Sequence, residues 1–148
     1  MNIDAWLEKA FDSALVEEGV QARSQDEAKQ FWKLRESIAE VLASMGLNHS
    51  NDISLPIINL ENFLQEWKTL FASKYPHWEL FIFGHIGDGN LHIHALKPEK
   101  FSKEEFLVYT HQVDADLFQF VIKYKGSISA EHGIGLLKKP HISYSGKK

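Results

Sequence analysis

The sequence predicts an α+β fold: a small antiparallel sheet with helices on one face, preceded by two N-terminal helices. Three features point to it. Residues 78–83 (WELFIF) and 90–96 (NLHIHAL) are short apolar or alternating runs joined only by a glycine-rich turn, which is how a hairpin reads. Two long stretches of helical period each open near a capping signal. From residue 52 onward the elements follow the order β-α-β-β-α-β, a split pattern in which both helices cover one side of the sheet. That order defines a ferredoxin-like unit over 52–129, with 1–46 as a helical lead-in and 130–148 as a truncated tail.

The elements follow in turn. Residues 3–18 are expected to be helical, with Ala5, Leu7 and the run Ala10 to Leu15 apolar and Gly19 as the stop. Ser24 and Glu27 form a capping box for a second helix, on which Phe31, Leu34, Ile38, Leu42 and Met45 recur at helical spacing up to Gly46. DISLP (52–56) reads as a short strand closed by Pro56. Asn59 is placed to cap a helix whose Leu60, Phe63, Leu64, Trp67, Leu70 and Phe71 share a face, with Pro76 beyond its end. After the hairpin, Ser102 and Glu105 make another capping box. The helix they open carries Phe106, Tyr109, Val113, Leu117, Phe120 and Tyr124 and ends at Gly126, leaving SIS (127–129) as the last strand. Phe31, Trp67, Phe106 and Phe120 are the aromatic residues expected in the core.

Composition narrows the function. A chain of 148 residues can bury one core, and a net charge of −4 gives no broad basic surface for a phosphate backbone, so nucleic acid is not an expected partner. There is no cysteine, which excludes disulfides, thiolate metal sites and cysteine nucleophiles; any metal must be held by His, Asp or Glu. No stretch approaches the ~18 apolar residues of a membrane span, and a cytoplasmic location is expected. The sequence opens inside a helical pattern and stops without a closing element, so a domain fragment is expected.

The turn FIFGHIGDGNLHIHAL (81–96) concentrates the chemistry. Alternation along the second strand points Leu91, Ile93 and Ala95 toward the helices and His92 and His94 away. A hairpin closing over IGDGN brings His85 within metal-binding reach of His92, and two imidazoles with one carboxylate is a familiar open site for zinc, manganese or iron. Glu131, in GSISAEHGIG (126–135), is the best candidate for the carboxylate. In the idealised fold, however, the last strand runs away from the hairpin and leaves Glu131 roughly 16 Å down, unless that strand is short or irregular. The plainer alternative is a turn in which Asp-Gly and Gly-Asn supply the conformation and the histidines are surface residues. An anion nest is a further reading; a calcium loop lacks the leading Asp-x-Asp spacing and the closing Glu.

GHIGDGNLH (84–92) and GSISAEHGIGLLKK (126–139), in that order, resemble the C-terminal, substrate-binding domain of FAD-linked oxidases and dehydrogenases, a group that includes D-lactate dehydrogenases, the D subunit of glycolate oxidase and D-2-hydroxyglutarate dehydrogenase. FWKLRE (31–36) and NDISLP (51–56) are similar to that family's Trp-x-x-Arg helix and Asp-x-Ser-x-Pro strand. The resemblance implies a divalent metal, zinc or manganese or iron, on His85, His92 and Glu131; His132 as the proton acceptor; Arg35 on the substrate carboxylate; and His94 among the substrate contacts, where relatives often have asparagine. It further implies FAD, held mainly by a domain outside this chain, and oxidation of a D-2-hydroxy acid such as lactate, glycolate or 2-hydroxyglutarate to the 2-oxo acid by hydride transfer to flavin.

By the same resemblance the partners are a small 2-hydroxy acid, the flavin domain of the parent, and an electron-accepting protein or quinone, with the parent peripheral at the inner membrane. The fragment alone is expected to be inactive and to self-associate through its exposed sheet face. Ala39 and Ser50 depart from the threonine and lysine of D-2-hydroxyglutarate-type relatives, which leaves a longer diacid without two expected contacts. The competing expectation is a non-enzymatic ferredoxin-like module that binds a metal or a small carboxylate.

Overall fold

A computed structural model describes residues 3–129 of the chain. The chain forms two compact units, Met1–Val41 and Leu42–Lys148. The first holds α1 (Ile3–Asp12) and α2 (Gln25–Glu36); α3 (Ile38–Met45) straddles the division. The second holds β1 (Asn48–Ser54), α4 (Leu60–Lys74), β2 (Glu79–His85), β3 (Asn90–Leu96) and α5 (Lys103–Lys123).

The first unit departs from expectation at both helix ends. α1 stops at Asp12, six residues short of the expected end. The Leu15 N–H reaches the Ala10 carbonyl at 3.0 Å and the Ala14 N–H the Phe11 carbonyl at 2.9 Å, with Ala14 left-handed at φ 53°. This is a Schellman ending without glycine at its left-handed position, so Gly19 was the wrong stop signal. Ser24 caps α2 as expected, accepting from the Glu27 N–H at 3.1 Å. The single helix expected after it is interrupted at Ser37, whose hydroxyl donates to the Leu34 carbonyl at 2.8 Å, a local bond that competes with regular helix. Phe31 is not core: it is 44% exposed.

In the second unit the sheet order is β1-β3-β2, antiparallel throughout. β1 starts four residues earlier than expected because its polar side chains find partners under α5. Asp114 accepts from the Asn51 amide at 2.7 Å and lies 2.5 Å from His49 Nε2. Such pairing is what permits polar groups on a covered strand. The expected fourth strand is a single antiparallel bridge, Ser54 to Ser127, and the sheet otherwise has three strands among the described residues.

α4 and α5 supply Phe63, Trp67, Phe71, Phe106, Val113, Leu117 and Val121 to a core that also takes Ile53, Leu91, Ile93, Ala95 and Ile128 from the sheet side. The Ser102–Glu105 capping box at the start of α5 is formed in both directions, at 3.1 and 2.8 Å. Asn59 does not cap α4; its amide donates instead to the Tyr124 carbonyl at 2.9 Å, tying the start of α4 to the end of α5.

Candidate active site

Register places the candidate residues. Leu91 (8% exposed), Ile93 and Ala95 (2% each) pack into the core, so His92 and His94, one position out of phase, lie on the opposite face. Opposite them in β1 stand Asp52 and Ser50, and in β2 Phe83 and Phe81; His85 stands opposite Asn90. The face turned away from this core is therefore a partly buried patch of histidine, aspartate, asparagine and phenylalanine.

Two glycines allow the turn that joins β2 to β3. Gly89 is left-handed at φ 68°, and a Cβ there would stand 1.9 Å from the Leu55 carbonyl oxygen. A Cβ on Gly84 would stand 2.1 Å from the Asn90 carbonyl oxygen. The turn itself is a short 3₁₀ segment, Ile86–Asp88, pinned to the end of β1 by the Leu55 N–H donating to the Gly89 carbonyl at 2.8 Å. Asp52, at the neighbouring end of β1, is thus held beside the hairpin.

His85 and His92 face each other edge on, ring centres 6.3 Å apart. The Nδ1 of His92 is 3.4 Å from the Asp52 carboxylate, an ion-pair distance. Phe83 lies against both β3 histidines with ring centres at 5.2 Å, stacked on His94. Asn48 Oδ1 is 3.1 Å from His94 Nδ1. Burial, and then the neighbouring His92 and His49 imidazoles, hold the His94 pKa below the ordinary histidine range, so this ring is neutral at pH 7.

With metal–nitrogen bonds of ~2.1 Å, two imidazoles sharing one ion at a tetrahedral angle have ring centres about 5.2 Å apart. His85 and His92 are about 1 Å wider than that, and imidazole is a suitable ligand type for such an ion. A third ligand is needed: among the described residues no group of three or more His, Asp or Glu could hold a metal. Glu131 and His132 lie outside the described residues. Among the described residues, the segment after α5 pairs with β1 at Ser127.

Arg35 belongs to the other compact unit, on α2, where it lines an apolar depression of about 350 Å³ with Ala22, Ala28, Phe31 and Trp32. The structure thus brings His85, His92 and His94 onto one face and adds Asp52, Asn48 and Phe83, which sequence reasoning did not assign to the site. Asp52 was legible as the acidic residue of NDISLP. Asn48 was not, because β1 was expected to begin beyond it.

No helix among the described residues is long and apolar enough to cross a membrane. Residues 3–148 match the family described as FAD linked oxidases, C-terminal domain. The chain is 40% identical to D-2-hydroxyglutarate dehydrogenase of Stutzerimonas stutzeri, covering 95% of this chain and 30% of that protein. It is 43% identical to that of Xanthomonas citri pv. viticola (93% and 29%) and 33% identical to the mitochondrial D-2-hydroxyglutarate dehydrogenase of Arabidopsis thaliana (97% and 24%). The chain therefore spans about 30% or less of the length of these curated relatives. On the strength of the match over residues 3–148, the chain belongs to the FAD-linked oxidase C-terminal domain family.

Proposed function

We propose that this chain is the substrate- and metal-binding part of an FAD-dependent dehydrogenase that oxidises a D-2-hydroxy acid to the 2-oxo acid. The observation that carries the proposal is the gathering of His85, His92, His94 and Asp52 on the sheet face turned away from the core, in a chain from this family. His85 and His92, joined by Glu131, would hold a divalent cation, zinc or manganese or iron, which would supply Lewis acidity toward the substrate hydroxyl, while FAD in the parent would supply the hydride acceptor.

This chain's own residues do the rest. His132 takes the hydroxyl proton as the C2–H electron pair leaves and the carbon–oxygen double bond forms. Arg35 pairs with the substrate carboxylate through its guanidinium fork. Phe83 packs against His92 and His94 and would keep water from that side of them. The flavin domain of the parent protein is the partner, and an electron-accepting protein or quinone regenerates oxidised flavin.

The test is flavin reduction by D-2-hydroxy acids in the full-length parent. His132→Ala is expected to slow the reductive step by about 10²- to 10⁴-fold, and a rate equal to that of the unsubstituted enzyme would remove His132 from the chemistry.

A further inference from the structure

His94 Nδ1 stands 3.1 Å from Asn48 Oδ1, and the orientation of that amide is itself fixed. Asn48 Nδ2 faces two backbone carbonyls, those of Leu42 and Gly46, each at 3.4 Å. Turning the amide over would aim its oxygen at both carbonyl oxygens. The oxygen therefore faces His94, and only a ring nitrogen that carries hydrogen can satisfy it. With Nδ1 as the donor, Nε2 of a neutral imidazole is a bare acceptor.

The surroundings reinforce the consequence. Along the sheet face that carries His94 the neighbouring strand positions are Asn48, Ser50 and Asp52 in β1, Glu79, Phe81 and Phe83 in β2, and Asn90, His92 and Leu96 in β3. None of these is a lysine or arginine, and the two carboxylates among them are Asp52 and Glu79. A hydroxyl can donate to an acceptor set there; a carboxylate meets a lone pair and a like charge.

We propose that Asn48 is a positioning residue that fixes His94 as the Nδ1-protonated tautomer, and that the acceptor thus presented selects a substrate with a single carboxylate and disfavours a second. The selectivity half rests on the functional reading above; the tautomer half does not.

The tautomer is read from ring ¹⁵N shifts in the isotope-labelled protein at about pH 8, where histidines of ordinary pKa are neutral. The expected result is a proton on Nδ1 of His94. Asn48→Ala should move it to Nε2 while the signatures of His85 and His92 stay in place, which separates this effect from unfolding. An Nε2-protonated His94 in the unsubstituted protein, or one that does not respond to Asn48→Ala, overturns the assignment.

In the full-length parent, kcat/KM for D-lactate relative to D-2-hydroxyglutarate should fall roughly tenfold in Asn48→Ala, because His94 can then offer an N–H to a second carboxylate. An unchanged ratio alongside a switched tautomer overturns the selectivity. If the parent oxidises no 2-hydroxy acid at all, the functional reading and the selectivity fail together, and the ¹⁵N signature still decides the role of Asn48.

Discussion

At the scale of single residues, the three histidines of the hairpin are chemically distinct despite sharing one sheet face. His85 and His92 meet edge on with ring centres 6.3 Å apart, and they are the pair proposed above as cation ligands. His85→Ala and His92→Ala should each weaken zinc or manganese affinity strongly; calorimetric titrations giving the native affinity for both variants would exclude the pair. His94 behaves differently. Burial first, then His92 and His49, depress its folded-state pKa, so below the unfolded value of about 6.5 the unfolded chain binds a proton that the folded one resists. Stability is then lost as pH falls from that value toward the lower folded one. His94→Asn should remove this component, so its urea midpoint should decline less between pH 7 and pH 5 than that of the unsubstituted protein; an equal or steeper decline would show that His94 is not the group that resists protonation.

At the scale of elements, the β2–β3 turn depends on some of its glycines and not on others. Gly89→Ala places a methyl against the Leu55 carbonyl in a left-handed backbone and should cost about 2 kcal/mol or more in denaturation midpoints. Gly87 has nothing within 4 Å of a Cβ, so Gly87→Ala should be neutral or stabilise by about 0.4–1 kcal/mol; equal losses at both sites would mean that the glycines act through something other than close approach. The hairpin was legible in the sequence because period-two alternation decides facing: Leu91 and Ile93 inward, His92 and His94 outward. β1 was only half legible, since Asn51 is buried by virtue of Asp114, sixty-three residues away, which no local pattern encodes. Helix ends were the poorest. Gly126 was expected to end α5 by its conformation, yet the left-handed position belongs to Lys125, at φ 57°. Gly126 is needed because a Cβ there would stand 2.4 Å from the Ser54 carbonyl oxygen. The site shows the same division: its histidines are local in sequence, whereas Asn48 and Asp52 join only through strand pairing.

At the scale of the whole molecule, α4 and α5 pack on the Leu91–Ile93–Ala95 face of the sheet and form most of the core with it, and Trp67 lies in that buried layer. Its ring packs against Phe71 and Phe120, with centres 5.7 Å away in each case. Trp67 is fully buried, and among the described residues its indole N–H has no hydrogen-bond partner. A buried donor left unsatisfied costs about 1–3 kcal/mol, which offsets part of what the large ring contributes by packing. Trp67→Phe loses ring volume and creates a cavity, but it also removes that donor. The two effects oppose each other and are of similar size, so the net change in unfolding free energy should lie within about 1 kcal/mol of zero. Phe63→Ala, at a site equally buried but without a polar atom, should lose about 3–5 kcal/mol. Chemical denaturation of both variants followed by circular dichroism separates these expectations. A Trp67→Phe loss above about 3 kcal/mol would mean that the indole N–H carries no penalty and that the core is limited by packing alone.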